Sequence, residues 1–259
     1  MRPAFTIAGQ HGALVATALH AGHDLRPEVA ALVAVDDATR LREEDPGTDR
    51  LTDIAPLRIV ARRSRFEVDL NRPPREAVYR RPEDAWGLSV WRRPPPDDVV
   101  ARSRAIYADF YRRLEQEFDG CAGDRPFLVL DLHSYNHRRR DDRVPDAEQL
   151  APEVNIGTGT LDRARWASVV DRFIDVLREQ VVRGHPLDVR ENVRFRGGHF
   201  ARWVHARYPA SGVVLAIELK KTFMDEWTGE IDGEHLTDLK SGLAAAAATT
   251  ADAFSERDR

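Results

Sequence analysis

The stretch Phe127-Leu128-Val129-Leu130-Asp131-Leu132-His133-Ser134 decides how this chain is read. Its run of branched apolar residues predicts a buried strand. The run then gives way to an acid, a histidine and a serine. In α/β proteins the carboxyl ends of buried strands open into the crevice where ligands bind. A histidine placed there, two residues after an aspartate, has the stiff backbone and the neighbouring carboxylate that fix the ring of a metal ligand.

Two further runs repeat the pattern. Leu14 to Leu19 is apolar and leads into His20-Ala21-Gly22-His23, and Val213 to Ile217 delivers Glu218. A glutamate directly after five apolar residues is costly to bury unless it is paired or has chemistry to do. Two histidine-terminated strands and one glutamate-terminated strand supply the parts of a zinc hydrolase: ligands, and a carboxylate to handle the proton of water.

At 259 residues the chain can bury a substantial core and fits one α/β domain. Its 39 basic and 43 acidic residues give a net charge of -4, so no global electrostatic case for nucleic acid exists. Arg138-Arg139-Arg140 is offset by Asp141 and Asp142 and reads as a solvated loop. Cys121, the one cysteine, rules out an internal disulfide and fits a reducing compartment. It is expected to sit in a structural turn with Gly120, Ala122 and Gly123. Met1 to Phe5 lacks the apolar core of a signal peptide, and no stretch approaches the roughly 20 apolar residues that span a bilayer. A cytoplasmic protein without membrane partners is the expectation.

Along the chain, Leu14–Leu19, Leu57–Ala61, Phe66–Leu70, the His133 segment and Val213–Ile217 are predicted strands. In Phe66–Leu70, residues Phe66, Val68 and Leu70 alternate as if facing one way. Pro27 suits a first helical position. Helices are predicted over 97–118 and 161–182 from their amphipathic spacing, and the Leu236, Leu239, Leu243 pattern continues helically through Ala244 to Ala248. Strands alternating with such helices predict an α/β architecture with a mainly parallel or mixed sheet. Residues 72–96, rich in proline and arginine and carrying Trp86 and Trp91, predict a long surface excursion of the kind that often has a function.

Arg72 follows the predicted 66–70 strand and precedes two prolines that stiffen the exit. An arginine can grip a carboxylate with two parallel hydrogen bonds, and Asn71 adds a donor beside it. Three other segments read either as sites or as ordinary turns: Glu44-Asp45-Pro46, Glu153 to Thr158 with its amide and glycine turn, and Arg194 to His199 with Gly197-Gly198.

Taken in order, these segments resemble the N-formylglutamate amidohydrolase (N-formylglutamate deformylase) family. The resemblance rests on His20-Ala21-Gly22 with Pro27, Asp45 to Leu51, Val68 to Pro73, Asp131 to Ser134, Asn155 to Thr158, Phe195 to Gly198, and Ile217 to Leu219 with Met224-Asp225-Glu226. It spans nearly the whole chain. That family is similar in turn to zinc carboxypeptidases, whose pattern His133-Ser134-Tyr135, Asn71-Arg72 and Glu218-Leu219 match. The resemblance implies a single carboxypeptidase-like domain over 1–259, with a mixed, mostly parallel eight-stranded sheet flanked by helices.

It also implies a Zn2+ cofactor on His20, His133 and a third ligand. Three residues after His20 the chain has His23 where carboxypeptidases carry glutamate, so the third ligand is either His23 or, the preferred choice, Asp45. Glu218 is implied as the catalytic base, and Asn71, Arg72, Asn155 and Arg196 as substrate contacts. The expected reaction is amide hydrolysis in an N-acyl amino acid or similar small carboxylate. The arginine-rich loops 72–96 and 135–150 raise one alternative, a small metallo-peptidase acting on an acidic peptide or conjugate, and His23 raises another, a non-catalytic binding module that kept the scaffold and lost the metal.

Overall fold

The structure, a computed structural model, describes residues 3–122, 125–138 and 146–256. Gly123 and the Arg139, Arg140, Asp141, Asp142 part of the charged loop lie outside them. The described strands are β1 (Phe5–Gly9), β2 (Leu14–Ala18), β3 (Leu57–Ala61), β4 (Phe127–Tyr135), β5 (Val154–Gly157), β6 (Val181–Val182), β7 (His185–Pro186), β8 (Val189–Glu191) and β9 (Gly212–Lys220). The helices are α1 (Pro27–Ala30), α2 (Asp37–Glu43), α3 (Asp97–Ala122), α4 (Ala167–Arg178), α5 (His199–Arg207) and α6 (Gly233–Glu256). Seven strands form one sheet in the order β1-β3-β2-β4-β9-β5-β8, and β6 and β7 form a separate hairpin.

The sheet is mixed and mostly parallel. β2 runs parallel to β3 and to β4, β4 to β9, and β5 to β8, while β1–β3 and β5–β9 are antiparallel. Side chains alternate across a strand, and both faces are covered, which is why the central strands read as continuous apolar runs. Leu128, Leu130 and Leu132 of β4 join Val213, Leu215 and Ile217 of β9 under α4 and α6. Phe127, Val129 and Val214 point the other way, into Phe110, Leu114 and Phe118 of α3 and Phe200 and Val204 of α5. Asp131, His133 and Glu218 continue this second face beyond the end of its apolar packing.

Several expectations are corrected. The resemblance implied eight strands, and the main sheet has seven among the described residues. β4 does not stop before its polar residues: it runs through to Tyr135, so His133 lies inside a fully buried strand, as Glu218 lies inside β9. Val154 to Gly157 is strand β5 where a glycine turn was read. The helix predicted over 161–182 is confined to α4, because Val181-Val182 turns back as β6.

Phe66–Leu70 is not a strand. Its amides bond locally, Glu67 and Val68 to the Ser64 carbonyl and Asp69 to that of Ala77. Val68 and Leu70 enter the α3 core, Phe66 packs with Tyr79 and Val90 elsewhere, and the intervening Glu67 and Asp69 are fully buried. The alternation that looked like one wet and one dry face is a segment buried on all sides, with its acids paired internally.

Glu67 is the clamp on this segment. It accepts bonds of 2.7 Å from both Nε and the backbone N–H of Arg26, whose guanidinium also donates to Ser103 Oγ at 2.7 Å and to the Val99 carbonyl at 3.2 Å. One buried ion pair thus ties the loop after β2, the loop after β3 and the start of α3. Removing one partner of such a pair leaves the other charge buried alone. Glu67→Ala is expected to destabilise the chain by about 3–5 kcal/mol, read as a lowered urea midpoint at unchanged m-value.

Candidate active site

The carboxyl ends of β2, β4 and β9 converge on a cavity of about 260 Å³. His20, two residues past β2, and His133 in β4 stand with ring centroids 4.8 Å apart. Asp45 lies between them, on the turn after α2. Its Oδ2 is 3.0 Å from His133 Nδ1 and 3.5 Å from His20 Nδ1. The three residues are buried, and one donor atom from each falls within 4.8 Å of the others.

The far side of each ring is held by a further buried acid. His20 Nε2 is 2.7 Å from Asp69 Oδ1. An ionised carboxylate only accepts, so Nε2 carries the proton and the Nδ1 lone pair faces Asp45. His133 Nε2 is 3.1 Å from Asp131 Oδ2, and Thr17 Oγ1 donates to the other Asp131 oxygen at 2.7 Å. Asp69 is itself pinned by Arg65 at 2.9 Å, by the Asn71 amide at 2.8 Å and by the Tyr79 hydroxyl. Burial works against its charge, but Arg65 and His20 hold its carboxyl well below the usual range. His133 is displaced the opposite way: burial disfavours its cation, yet Asp131 and Asp45 raise its pKa well above that of free imidazole.

The Asp45 turn is braced from below by Lys221, a buried lysine just beyond β9. Its Nζ donates to the carbonyls of Arg42 and Glu44 at 2.6 and 2.7 Å. The Asp45 amide donates to the His20 carbonyl at 2.9 Å, so these two residues are also tied through backbone. Lys221 and Arg65 both line the cavity and were missed in the sequence. Neither carries a local signal, since the carbonyls and the acid they bind lie elsewhere in the sequence or are set by the fold.

Glu218 faces the cluster because of sheet register. It pairs with His133 across β4–β9 and with Asn155 across β5–β9. Its carboxylate reaches the cavity, and burial, reinforced by Asp45 and Asp131 against the pull of His133 and His20, pushes its pKa up to about 7.

The other expected residues divide. His23 does not join the cluster: its Nδ1 lies 2.5 Å from Glu44 Oε2, and Arg40 reaches its Nε2 and its carbonyl, both at 3.1 Å. Asn71, Arg72 and Arg196 line the cavity. Asn71 Oδ1 takes the Phe200 amide at 2.9 Å, and its Nδ2 makes a long contact of 3.4 Å with His133 Nε2. Arg72 donates a long bond to the Asp84 carbonyl at 3.3 Å, its Nε lies 3.9 Å from Asp69 Oδ2, and its guanidinium lies 5.9 Å from the Tyr79 ring centroid. Asn155 does not line the cavity. Its Oδ1 accepts from the Arg194 and Phe195 amides and its Nδ2 donates to the Phe195 carbonyl, so it holds the loop that presents Phe195 and Arg196. That loop passes over β5 so closely that a Cβ at Gly157 would lie 2.7 Å from the Gly197 nitrogen. Arg75, Arg80, Arg81, Arg92 and Arg93 lie away from the cavity, so the arginine content of the 72–96 loop says little about the charge of what enters it.

Residues 12–224 match the family model of N-formylglutamate amidohydrolase. No curated protein matches the chain. Among solved structures, an N-formylglutamate amidohydrolase from Ralstonia eutropha JMP134 superimposes with a TM-score of 0.79 at 19% identity, covering 99% of this chain and 100% of that one. The gene product Atu2144 from Agrobacterium tumefaciens gives 0.67 at 17% identity, covering 99% and 96%. A metallo-carboxypeptidase from Burkholderia cenocepacia gives 0.43 at 12%, covering 95% and 58%. With the family model spanning most of its length, His20, His133 and Glu218 included, the chain belongs to the N-formylglutamate amidohydrolase family.

Proposed function

We propose that the chain is a zinc-dependent hydrolase that cleaves the amide of an N-formyl or other N-acyl amino acid, working as one domain in a reducing cytoplasm. One observation carries the reading. Two imidazole nitrogens and a carboxylate oxygen converge, their outer atoms fixed by Asp69 and Asp131, with an ionisable Glu218 in register beside them. Two buried imidazoles and a carboxylate gathered this closely form a donor set for a cation, and nitrogen with oxygen donors suits zinc. His20, Asp45 and His133 are the residues that would hold it, and three protein ligands leave a position open, as catalytic zinc sites do. Bound there, zinc supplies Lewis acidity towards the acyl oxygen and lowers the pKa of water.

The protein's own groups do the rest. Glu218 takes a proton from the attacking water and delivers it to the leaving nitrogen, a transfer suited to a carboxyl tuned towards neutrality. Arg72 and Arg196, with Asn71 Nδ2, hold the substrate carboxylate at the wall of the cavity. Burial excludes bulk water from the reacting bond.

Glu218→Gln is expected to keep the metal, measured by elemental analysis, while kcat falls by about 10²–10⁴. Near-normal turnover in that variant would assign the base elsewhere. Glu218 must be ionised to accept a proton, so kcat/KM should decline as pH falls through its pKa. The acid limb is expected at or below about pH 7, since a cation beside the carboxylate can only lower that value. Asp69→Asn should weaken zinc binding by about 10–100-fold in chelator competition, because the amide cannot hold His20, Arg65 and Tyr79 as the carboxylate does.

A further inference from the structure

Trp86 is out of place for an ordinary loop residue. It is 43% exposed, it lines the catalytic cavity, and its backbone is left-handed at φ 53°. A bulky residue in that region is strained by about 1–3 kcal/mol and persists only where its surroundings force it. Here they do. The 3₁₀ turn Pro82–Ala85 ends at Trp86, whose backbone N–H caps the Pro82 carbonyl. The loop beneath has its own small core of Phe66, Tyr79, Ala85 and Val90. Trp91 Nε1 locks this core by donating to the Tyr79 carbonyl at 2.7 Å.

The ring is also held. The Arg65 guanidinium lies 4.7 Å from its centroid, and Tyr79 meets it edge-on at 6.2 Å. Arg65 and Tyr79 are the residues that pin Asp69, so the indole is fixed to the same frame as His20. A second aromatic, Phe195, lines the cavity from the loop held by Asn155 and packs on Tyr135 at 5.6 Å. The cavity therefore offers rigid aromatic surface beside Arg65, Arg72 and Arg196, while the remaining arginines of the 72–96 loop lie outside it.

We propose that Trp86, with Phe195, is the specificity surface of this site, and that the preferred substrate is an N-acyl amino acid with an aromatic side chain, stacked on the indole. This rests on the amide-hydrolase reading above. Arg72 and Arg196 then serve the α-carboxylate rather than a side-chain acid. Planar groups gain from offset or edge contacts with a fixed indole beyond the area they bury. A rigid ring also loses little freedom on binding.

The test uses the full chain loaded with zinc. Rates with N-formyl-L-phenylalanine, N-formyl-L-glutamate and N-formyl-L-alanine are measured beside calorimetric binding of free L-phenylalanine and L-glutamate, for the parent, Trp86→Ala and Trp86→Phe. The phenylalanine derivative should exceed the glutamate derivative in kcat/KM by about tenfold. Trp86→Ala should bring that ratio towards one, mainly through KM, and Trp86→Phe should restore most of it. A preference for the glutamate derivative, or a ratio unmoved in Trp86→Ala, overturns the inference and leaves the hydrolase reading intact. Hydrolysis of none of the three sinks the hydrolase reading instead, and binding then decides. Tighter phenylalanine than glutamate binding, lost in Trp86→Ala, upholds the aromatic surface; equal or absent binding overturns it.

Discussion

A single buried carboxylate, that of Asp69, organises the site. It receives the His20 ring, the Arg65 guanidinium, the Asn71 amide and the Tyr79 hydroxyl. Burying an ion in so dry a place is unfavourable unless its lone pairs are filled, and here they are. Through these bonds one side chain fixes the His20 ring, the entry into the cavity-lining Asn71-Arg72 pair and the seat of the residue that backs Trp86. The network is cooperative: a change at Asp69 reaches the His20, Asp45 and His133 cluster and the mouth of the cavity together.

The sheet supplies what the loops cannot. β4 and β9 run side by side in parallel for nine residue pairs, which places His133 opposite Glu218 with the precision of a hydrogen-bonded ladder. β9 meets β5 in the antiparallel sense, and Asn155 falls opposite the same glutamate. Glu218 therefore sits where the sheet changes direction, flanked by a cluster residue on one side and the anchor of the 194–198 loop on the other. A slip of one residue in either ladder would turn the carboxylate to the opposite face.

The α/β architecture was legible because the central strands are buried on both faces and so read as unbroken apolar runs. His20, His133 and Glu218 stood out as polar residues at the ends of those runs. The segment 66–70 misled, since period-two alternation cannot distinguish a half-wet strand from a coil whose acids are paired inside the protein. Glu67 and Asp69 both belong to the second case. The small strands β1 and β8 pair with partners distant in sequence and carry little pattern of their own. Lys221 and Arg65 were invisible for a related reason. Their roles come from carbonyls and acids brought to them by folding, and no local spacing announces such partners. Asn155 was noticed for the right cavity but for the wrong contact, because sequence does not say which way an amide on a strand is turned.

The division between ladder and loop also bears on how such a chain can diverge. Of the groups proposed for bond cleavage, His133 and Glu218 are borne by the rigid sheet, whereas His20, Asp45 and the substrate-side Arg72, Trp86 and Arg196 ride on connections. Insertions or exchanges in those connections leave the strand register untouched. A lineage built this way can alter what its cavity admits while the strand ladder that faces His133 with Glu218 stays as it is.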